Sequence, residues 1–293
     1  MDQRREMQDF LVSRRARITP EQAGLTVYGS NRRVKGLRRE EVAMLAGVSV
    51  DYYTRLERGS QHNASDTVLD AIARALQLDE DERTHLFDLA RANQATPAGG
   101  SRRRSRAQVR PTVQVLLDAL TLTPAYVRNG RLDLLGTNRM GLALFTNMFD
   151  EGVYRPVNLA RFIFLQPQAH DFYDDWEVVA RDLVGALRVE AGRHPHDKAL
   201  SDLVGELSTR SQEFRIWWAS HNVRRHLSVT KRLTHPVIGP IELTGEGLSL
   251  SDDGLTLITY LAEPGSPAEE GLAFLSSWVP TSQSVDRHGP TRD

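Results

Sequence analysis

Residues 39–59, REEVAMLAGVSVDYYTRLERG, decide the fold of the N-terminal part of this chain. Two short helical patterns meet at Gly47, where the chain must reverse through a backbone conformation that glycine adopts most readily. Val48 fills the space between the helices, and Ser49 is placed to cap the second one. Apolar or small residues occupy the inward positions of both helices: Val42, Ala43, Ala46, Tyr53 and Leu56. This set of residues predicts a helix-turn-helix.

The outward face of the second helix has the residues of a DNA-reading surface. A recognition helix presents its N-terminal outward residues to base edges in the major groove. Arg55 can donate two hydrogen bonds to guanine O6 and N7, and Val50 can pack on a thymine methyl group. We predict that DNA is contacted by the N-cap and the outward residues of this helix: Ser49, Val50, Asp51, Tyr52, Thr54, Arg55 and Arg58. The alternative is an ordinary antiparallel helix pair, which also has apolar spacing and exposed basic residues.

Further basic residues precede this helix. Arg38 and Arg39 open the first helix of the pair and are placed for backbone contacts, which give affinity without sequence information. The basic loop GSNRRVKG (29–36) has two interpretations, an arm that follows phosphate or enters the minor groove, and a solvated insertion. Its candidate DNA contacts are Arg32, Arg33 and Lys35.

The pattern along the chain predicts four segments. They are a helix-turn-helix DNA-binding domain at 1–92, a Pro/Gly/Ser linker at 93–107, a ligand-binding domain at 108–280 and a disordered tail at 281–293. Helical patterns in the first segment cover 2–16, 38–46, 49–58, 66–77 and 79–92. We expect this all-α segment to fold without the rest of the chain.

The third segment mixes strand and helix patterns. Asn129-Gly130 predicts a two-residue hairpin turn, and Asn138 can cap a following helix. Further helices are predicted at 158–166, 168–192, 197–209, 211–222 and 267–278, and strands at 228–235, 239–250 and 255–263. A sheet with helices gathered between its strands is an α+β domain.

Composition excludes several functional classes. The chain has no cysteine, which rules out disulfides, thiolate metal sites and cysteine nucleophiles. Its N-terminus lacks the apolar core of a signal peptide, and no apolar run approaches the roughly 20 residues that span a bilayer. We therefore expect a cytoplasmic protein. Residues 1–107 hold 19 basic and 15 acidic residues (+4), and the rest hold 18 and 23 (−5), which suits a nucleic-acid reader joined to another domain.

These motifs resemble a known family. Residues 1–92 resemble the Xre-type, lambda-repressor-like helix-turn-helix, and residues 36–59 are similar to the MmyB-like regulators. The resemblance continues through VEAGRHP (189–195), 221–243 and AEPGSP (262–267). It implies that a DNA-binding domain is followed by a PAS-like domain that holds an apolar small molecule of the fatty-acid class. The chain departs from the family at Thr137, where tryptophan is usual, and at Asn222, where aspartate is usual.

Aromatic residues concentrate in the predicted ligand-binding domain. FIFLQ (162–166) and FRIWW (214–218) are apolar on more than one helical face, which favours a ligand cavity, although a packed core would explain the same residues. His221 and Arg224 follow the tryptophan pair and could meet the polar head of a ligand. The predicted ligand contacts are Phe145, Phe162, Phe164, Trp217, Trp218, His221 and Arg224.

Two other functions are possible for this domain on the sequence alone. An enzyme is disfavoured, because the sequence has no HExxH, nucleophile elbow, phosphate loop or dinucleotide fingerprint. A dimerisation or protein-docking module without a ligand is the remaining alternative. We also predict a homodimer, because one recognition helix buries too little surface for tight, specific binding to DNA.

Overall fold

The computed structural model describes residues 3–26, 34–60, 64–94, 109–149, 156–223, 228–250 and 254–278. The chain forms two compact units. The first comprises Met1–Ser105, Ile163–Gln166 and Glu177–His226, and the second comprises Arg106–Phe162, Pro167–Trp176 and Leu227–Asp293. No helix in the described ranges is long and apolar enough to cross a membrane.

Helices dominate the described residues. In chain order they are α1 (Gln3–Arg17), α2 (Arg39–Ala46), α3 (Val50–Glu57), α4 (Asp66–Ala75), α5 (Glu80–Gln94), α6 (Pro111–Ala119), α7 (Arg139–Leu144), α8 (Leu159–Leu165), α9 (Gln168–Phe172), α10 (Trp176–Arg193), α11 (Lys198–Arg210), α12 (Gln212–Ala219) and α13 (Pro267–Trp278). The strands are β1 (Ala125–Arg128), β2 (Leu134–Thr137), β3 (Ser228–His235), β4 (Gly239–Leu250) and β5 (Leu255–Leu261).

The first unit is built around the N-terminal helices. Each of α1 to α5 contributes apolar side chains to one buried cluster, including Phe10, Val42, Leu56, Ile72 and Leu86, and Leu37, just before α2, joins it. Burial of each such side chain contributes about 1.5–3 kcal/mol, so this cluster is the main source of stability for these short helices. The predicted all-α helix-turn-helix fold of the N-terminal part is confirmed.

Helices from the later part of the chain belong to the same unit. Val189 on α10 and Val223 after α12 join the buried cluster of α1–α5. A β-carbon added at Gly192 would lie 2.6 Å from Cε1 of His85, so a larger residue at that position would require the His85 ring on α5 to shift. Arg193 Nε also lies 2.9 Å from Asp88 Oδ2 on α5. The compact units therefore do not coincide with the sequence segments 1–92 and 108–280.

The second unit is an α+β fold around one antiparallel sheet. Its strand order is β2-β1-β5-β4-β3. β3 and β4 pair from Ser228↔Glu246 to His235↔Gly239, and β1 pairs with β5 from Ala125↔Thr259 to Arg128↔Thr256. One face of the sheet, including Val127 and Leu257, packs against α6 through Val113 and Leu117. The predicted α+β class of the C-terminal part is confirmed.

Asn138 caps α7 as predicted and also ties the sheet to its surroundings. Its Oδ1 accepts from the N–H groups of Gly141 (2.7 Å) and Ala125 (3.0 Å), and its Nδ2 donates to the carbonyl oxygens of Leu120 and Thr123. Thr137, at the position where the family usually has tryptophan, donates its hydroxyl to the carbonyl oxygen of Ala125 at 2.9 Å.

The structure differs from the sequence prediction at three elements. The sequence does not predict α6, because its segment VQVLL resembles the alternating pattern of a strand. In the structure it is a helix that buries only Val113 and Leu117. The β1–β2 connection is not a two-residue Asn-Gly turn: the Asn129 N–H donates to the carbonyl of Asp133, and Leu132 adopts φ 67°. The helix predicted over 168–192 is interrupted after α9, where Tyr173 forms a β-bridge with Leu233. The predicted tail and all but the first two residues of the linker lie outside the described residues.

Candidate functional site

The helix-turn-helix has the geometry that its sequence predicts. Gly47 adopts φ 66°, and the backbone N–H groups at this cap donate to the carbonyl oxygens of Ala43 and Met44 at the end of α2. Ser49 Oγ accepts from the N–H of Tyr52 at 3.1 Å, which caps α3. The predicted inward residues are all buried: Val42, Ala43, Ala46, Tyr53 and Leu56. Glu57, at the end of α3, is buried as well, and the remaining residues of α3 are exposed or half-buried.

The outward face of α3 is open along its length. Val50 is 48% exposed, on the first turn of the helix. The other predicted contacts fall into two groups: Ser49, Asp51, Arg55 and Arg58 are exposed, and Tyr52 and Thr54 are half-buried. This surface combines one guanidinium in mid-helix with small polar and apolar side chains, which is the mixture that direct reading of base edges uses.

The basic residues before α3 have different environments. Lys35 is exposed, and Arg32 and Arg33 lie outside the described residues. Arg38 is exposed, with its Nη1 3.3 Å from Glu40 Oε1. An open depression of about 340 Å³ lies beside these residues and is lined by Arg15, Val34, Arg38, Arg39, Glu40 and Val50. Three of its lining residues carry guanidinium groups: Arg15, Arg38 and Arg39.

Arg39 has a structural partner that the sequence did not reveal. Its Nε donates to Oε2 of Glu57 at 2.6 Å. Glu57 is fully buried, and its Oε1 also accepts from Nη2 of Arg15 at 3.1 Å. Arg15 in turn donates to the carbonyl oxygen of Leu37 at 2.7 Å. One buried carboxylate therefore joins α1, α2 and α3, and Arg39 is part of the support of the reading helix as well as a candidate phosphate contact.

The predicted ligand contacts are divided between the two units. Phe145 and Phe162 are buried in the second unit. Phe164, Trp217, Trp218 and His221 lie in the first unit, and Arg224 lies outside the described residues. The structure does not bring the seven residues together within either unit.

The aromatic residues of the first unit form a cluster of their own. The ring of Phe164 is 5.1 Å from that of Phe214 and 6.2 Å from that of Trp217. Trp218 stacks on Phe214 with centroids 5.6 Å apart and planes at 13°. The guanidinium of Arg181 lies 4.9 Å above the Trp217 ring. Phe214 is buried, whereas Phe164, Trp217 and Trp218 are half-buried.

His221 is surrounded by charged groups of the first unit. Its Nδ1 is 2.9 Å from Nη1 of Arg188, and its carbonyl oxygen accepts from Arg14 of α1. Arg188 is buried and donates to Oε2 of Glu6 at 2.8 Å and to the carbonyl oxygen of Trp218. Burial, with the two guanidinium groups, lowers the pKa of His221 to about 3. His221 is therefore neutral at pH 7, and its Nδ1 can accept from Arg188.

Comparison with known families agrees with this arrangement. Residues 13–86 match a helix-turn-helix domain, and residues 109–275 match the MmyB-like transcription regulator ligand binding domain. A comparison with curated proteins finds no match. The second match covers more than half of the 293 residues. This chain therefore belongs to the MmyB-like family, as a helix-turn-helix transcription regulator with a C-terminal ligand-binding domain.

Proposed function

We propose that this protein is a sequence-specific DNA-binding regulator that acts as a homodimer in the cytoplasm and responds to an apolar small molecule. In this proposal the reader is an Xre-type domain, and the effector, of the fatty-acid class, binds a PAS-like C-terminal domain. The observation that supports DNA reading most directly is the open outward face of α3, held by a cap at Ser49 and a turn at Gly47. The family match over 109–275 supports the effector.

The proposed docking assigns distinct roles to the exposed residues. The first turns of α3 enter the major groove, where Arg55 donates to guanine and Val50 contacts a thymine methyl group. Arg38 and Lys35 contact phosphates outside the groove and set register and affinity. A second copy supplies the other half-site, because one module of this size buries too little surface for tight binding.

Replacement of Arg55 by alanine tests this docking. We expect a loss of about 1–3 kcal/mol at one base pair and relaxed preference there, because the two hydrogen bonds to guanine are removed. Arg38→Ala should weaken binding to all sequences and reduce the salt dependence of the binding constant, because a phosphate contact is lost. Gel-shift titrations at several salt concentrations and selection of bound sequences measure both effects.

The matched control is Lys198→Ala, which removes a charge from an exposed side chain on α11 and should leave DNA binding unchanged. Equal affinity and equal site preference for Arg55→Ala and the wild-type protein would contradict the proposed docking. Arg39→Ala is a poor substitute for Arg38→Ala, because it also removes a partner of the buried Glu57.

The effector part of the proposal has a separate test. Native mass spectrometry of the purified full chain should show a retained or added apolar molecule, and DNA affinity should differ between the two states. The difference cannot exceed the differential affinity of the ligand for the two conformations, typically about 1–3 kcal/mol. If no apolar molecule binds, or if DNA affinity is equal in both states, the C-terminal domain is a dimerisation or docking module instead.

A further inference from the structure

The helix α6 is more apolar than its packing in the second unit requires. Val113 and Leu117 are its buried residues, and both pack against one face of the sheet. Val115 and Leu116 are nevertheless 68% and 47% exposed, and Ala119 is exposed as well. Successive residues of a helix are about 100° apart, so these three exposed positions form one continuous side of α6. A surface helix normally has polar or charged residues on such a side.

The polar flank of α6 shows which way the apolar side points. A β-carbon added at Gly136 on β2 would lie 3.2 Å from Oε1 of Gln114, so the Gln114 flank faces β2. Leu116 is roughly 160° away from Gln114 around the helix. Because β2 is the edge strand in the order β2-β1-β5-β4-β3, the Leu116 side points away from this edge, toward the strands that follow it.

The sheet face under α6 continues there as an exposed apolar surface. Leu257 of β5 packs with α6, and its partner on β4 is Leu248, which is 50% exposed. Leu261, four residues beyond Leu257 on β5, shares this face and is 48% exposed. Leu122, shortly after α6, is 60% exposed. Contiguous exposed apolar residues mark interaction sites on soluble proteins. We call this set the α6 patch: Val115, Leu116, Ala119, Leu122, Leu248 and Leu261.

The charges of α6 are arranged to complement a second copy of the same helix. Arg110 is its N-cap, and Asp118 lies in its last turn. Both are exposed, and no charged residue lies between them in the sequence. When two identical helices pack antiparallel about a two-fold axis, the first turn of each lies beside the last turn of the other. Arg110 of each copy then meets Asp118 of the other, and the opposed helix dipoles favour the same arrangement.

We propose that the α6 patch is the surface through which two copies of this chain form a homodimer, with their α6 helices antiparallel across a two-fold axis. The inference rests on the proposed function, because it assigns a contact surface to the dimer that reads two half-sites. A two-fold contact uses the same surface twice, so that surface must complement itself. The patch does so, with apolar residues in its middle and opposite charges at the two ends of α6, which is the pattern of an apolar interface core with a polar rim.

The test uses substitutions of exposed residues. Sedimentation velocity of the full chain over a dilution series should show a monomer–dimer equilibrium for the wild-type protein. Val115→Glu and Leu116→Glu should each raise the dimer dissociation constant at least about tenfold, because each places two carboxylates in an apolar contact. Val178→Glu is the matched control: Val178 is 50% exposed on α10, outside the α6 patch, so the dissociation constant should stay unchanged.

An exchange of charges tests the antiparallel arrangement. Arg110→Glu and Asp118→Arg should each weaken the dimer roughly threefold to tenfold, because like charges then face each other at both ends of the contact. The double variant should restore the dissociation constant of the wild-type protein. A double variant that is no better than the single variants would overturn the antiparallel packing.

A single cysteine gives a measurement that changes no charge. The chain has no cysteine, so Val115→Cys introduces one thiol in the middle of α6. Mild oxidation should join two copies through it, because a disulfide needs Cα atoms only about 4.4–6.8 Å apart. Val178→Cys should stay monomeric on a denaturing gel. Circular dichroism confirms that each variant is folded, and Val115→Cys tests the patch even if a glutamate variant does not fold.

The outcomes separate this inference from the proposed function. A dimer that both glutamate variants leave unchanged, and that Val115→Cys does not cross-link, would overturn the α6 patch while leaving the homodimer in place. A wild-type protein that stays monomeric both free and on its operator would overturn the inference and the homodimer together. DNA reading is measured independently by Arg55→Ala.

Discussion

Replacement of Glu57 by alanine is expected to lower the free energy of unfolding of the first unit by about 3–5 kcal/mol. The carboxylate is fully buried and lies between Arg15 Nη2 at 3.1 Å and Arg39 Nε at 2.6 Å. Arg15 is itself 15% exposed, so the substitution leaves a largely buried positive charge without its anion. A single domain has only about 5–15 kcal/mol of net stability, so a loss of this size is large.

The expected effect is specific to burial of the charge. Glu40→Ala is the matched control, because Glu40 is 63% exposed and pairs with the exposed Arg38. That change should alter stability by less than about 1 kcal/mol, as for other surface ion pairs. Urea denaturation of the full chain, followed by circular dichroism, measures both variants. Similar stability of Glu57→Ala and Glu40→Ala would show that the buried carboxylate does not hold α3 in place.

A double substitution should separate the effect of the unpaired buried charge on stability from the effect of lost packing. Arg15→Met combined with Glu57→Met replaces the buried carboxylate and the more buried of its two arginine partners by apolar side chains of similar length. The other partner, Arg39, is 41% exposed and can be solvated, so we expect the double variant to recover part of the stability that Glu57→Ala loses. We expect Glu57→Ala to lose DNA binding only because its helix-turn-helix unfolds, since Glu57 lies on the inward face of α3 and is not a DNA contact. A Glu57→Ala protein that is as stable as the wild-type protein but no longer binds DNA would contradict this explanation.

Replacement of Arg188 by methionine is expected to destabilise the packing of α10 and α12 on α1 by about 3 kcal/mol or more. Arg188 is 1% exposed on its side chain and donates to Glu6 at 2.8 Å and to the carbonyl oxygen of Trp218. Its guanidinium also lies 4.1 Å above the ring of Trp218. Methionine keeps most of the apolar stem but leaves the Glu6 carboxylate, the Trp218 carbonyl and Nδ1 of His221 without this donor.

Amide hydrogen exchange measures this effect where it should occur. We expect faster exchange in α1, α10 and α12 of Arg188→Met, with little change in the sheet of the second unit. Arg181→Met is the control: Arg181 is also on α10 and lies over a tryptophan, but its side chain is 51% exposed, so its loss should cost about 1 kcal/mol or less. Equal exchange in the two variants would contradict the importance of the buried group.

The same contacts bear on the expectation that residues 1–92 fold alone. A fragment of that length contains Glu6 and Arg14 but lacks Arg188 and the carbonyl of His221 that pair with them. Arg14 would retain Glu82, whose Oε1 is 3.2 Å from its Nε. We therefore propose that the fragment folds with lower stability than the same residues have in the full chain.

Local patterns were sufficient for most of the elements and for the helix-turn-helix. The turn at Gly47, the cap at Ser49 and the cap at Asn138 were predicted correctly, because each depends on residues within four positions along the chain. Most bounds of α1–α5 and of β3–β5 follow from the helical and strand periods in the same way. The order of these patterns also predicts a helical N-terminal part followed by an α+β part, but it does not predict that α10–α12 belong to the first compact unit.

Only the tertiary structure decided which distant side chains meet. In the amphipathic pattern of α3, Glu57 looks like any other charged residue. The burial of Glu57 depends on Arg15, which lies 42 positions earlier in the chain. The pairing of Arg188 with Glu6 spans 182 positions, and the sheet depends on the pairing of β1 with β5, which are far apart in sequence. Helix and strand periods describe one element at a time, whereas these contacts depend on which faces of different elements pack together, and that choice is made by burial of the whole core.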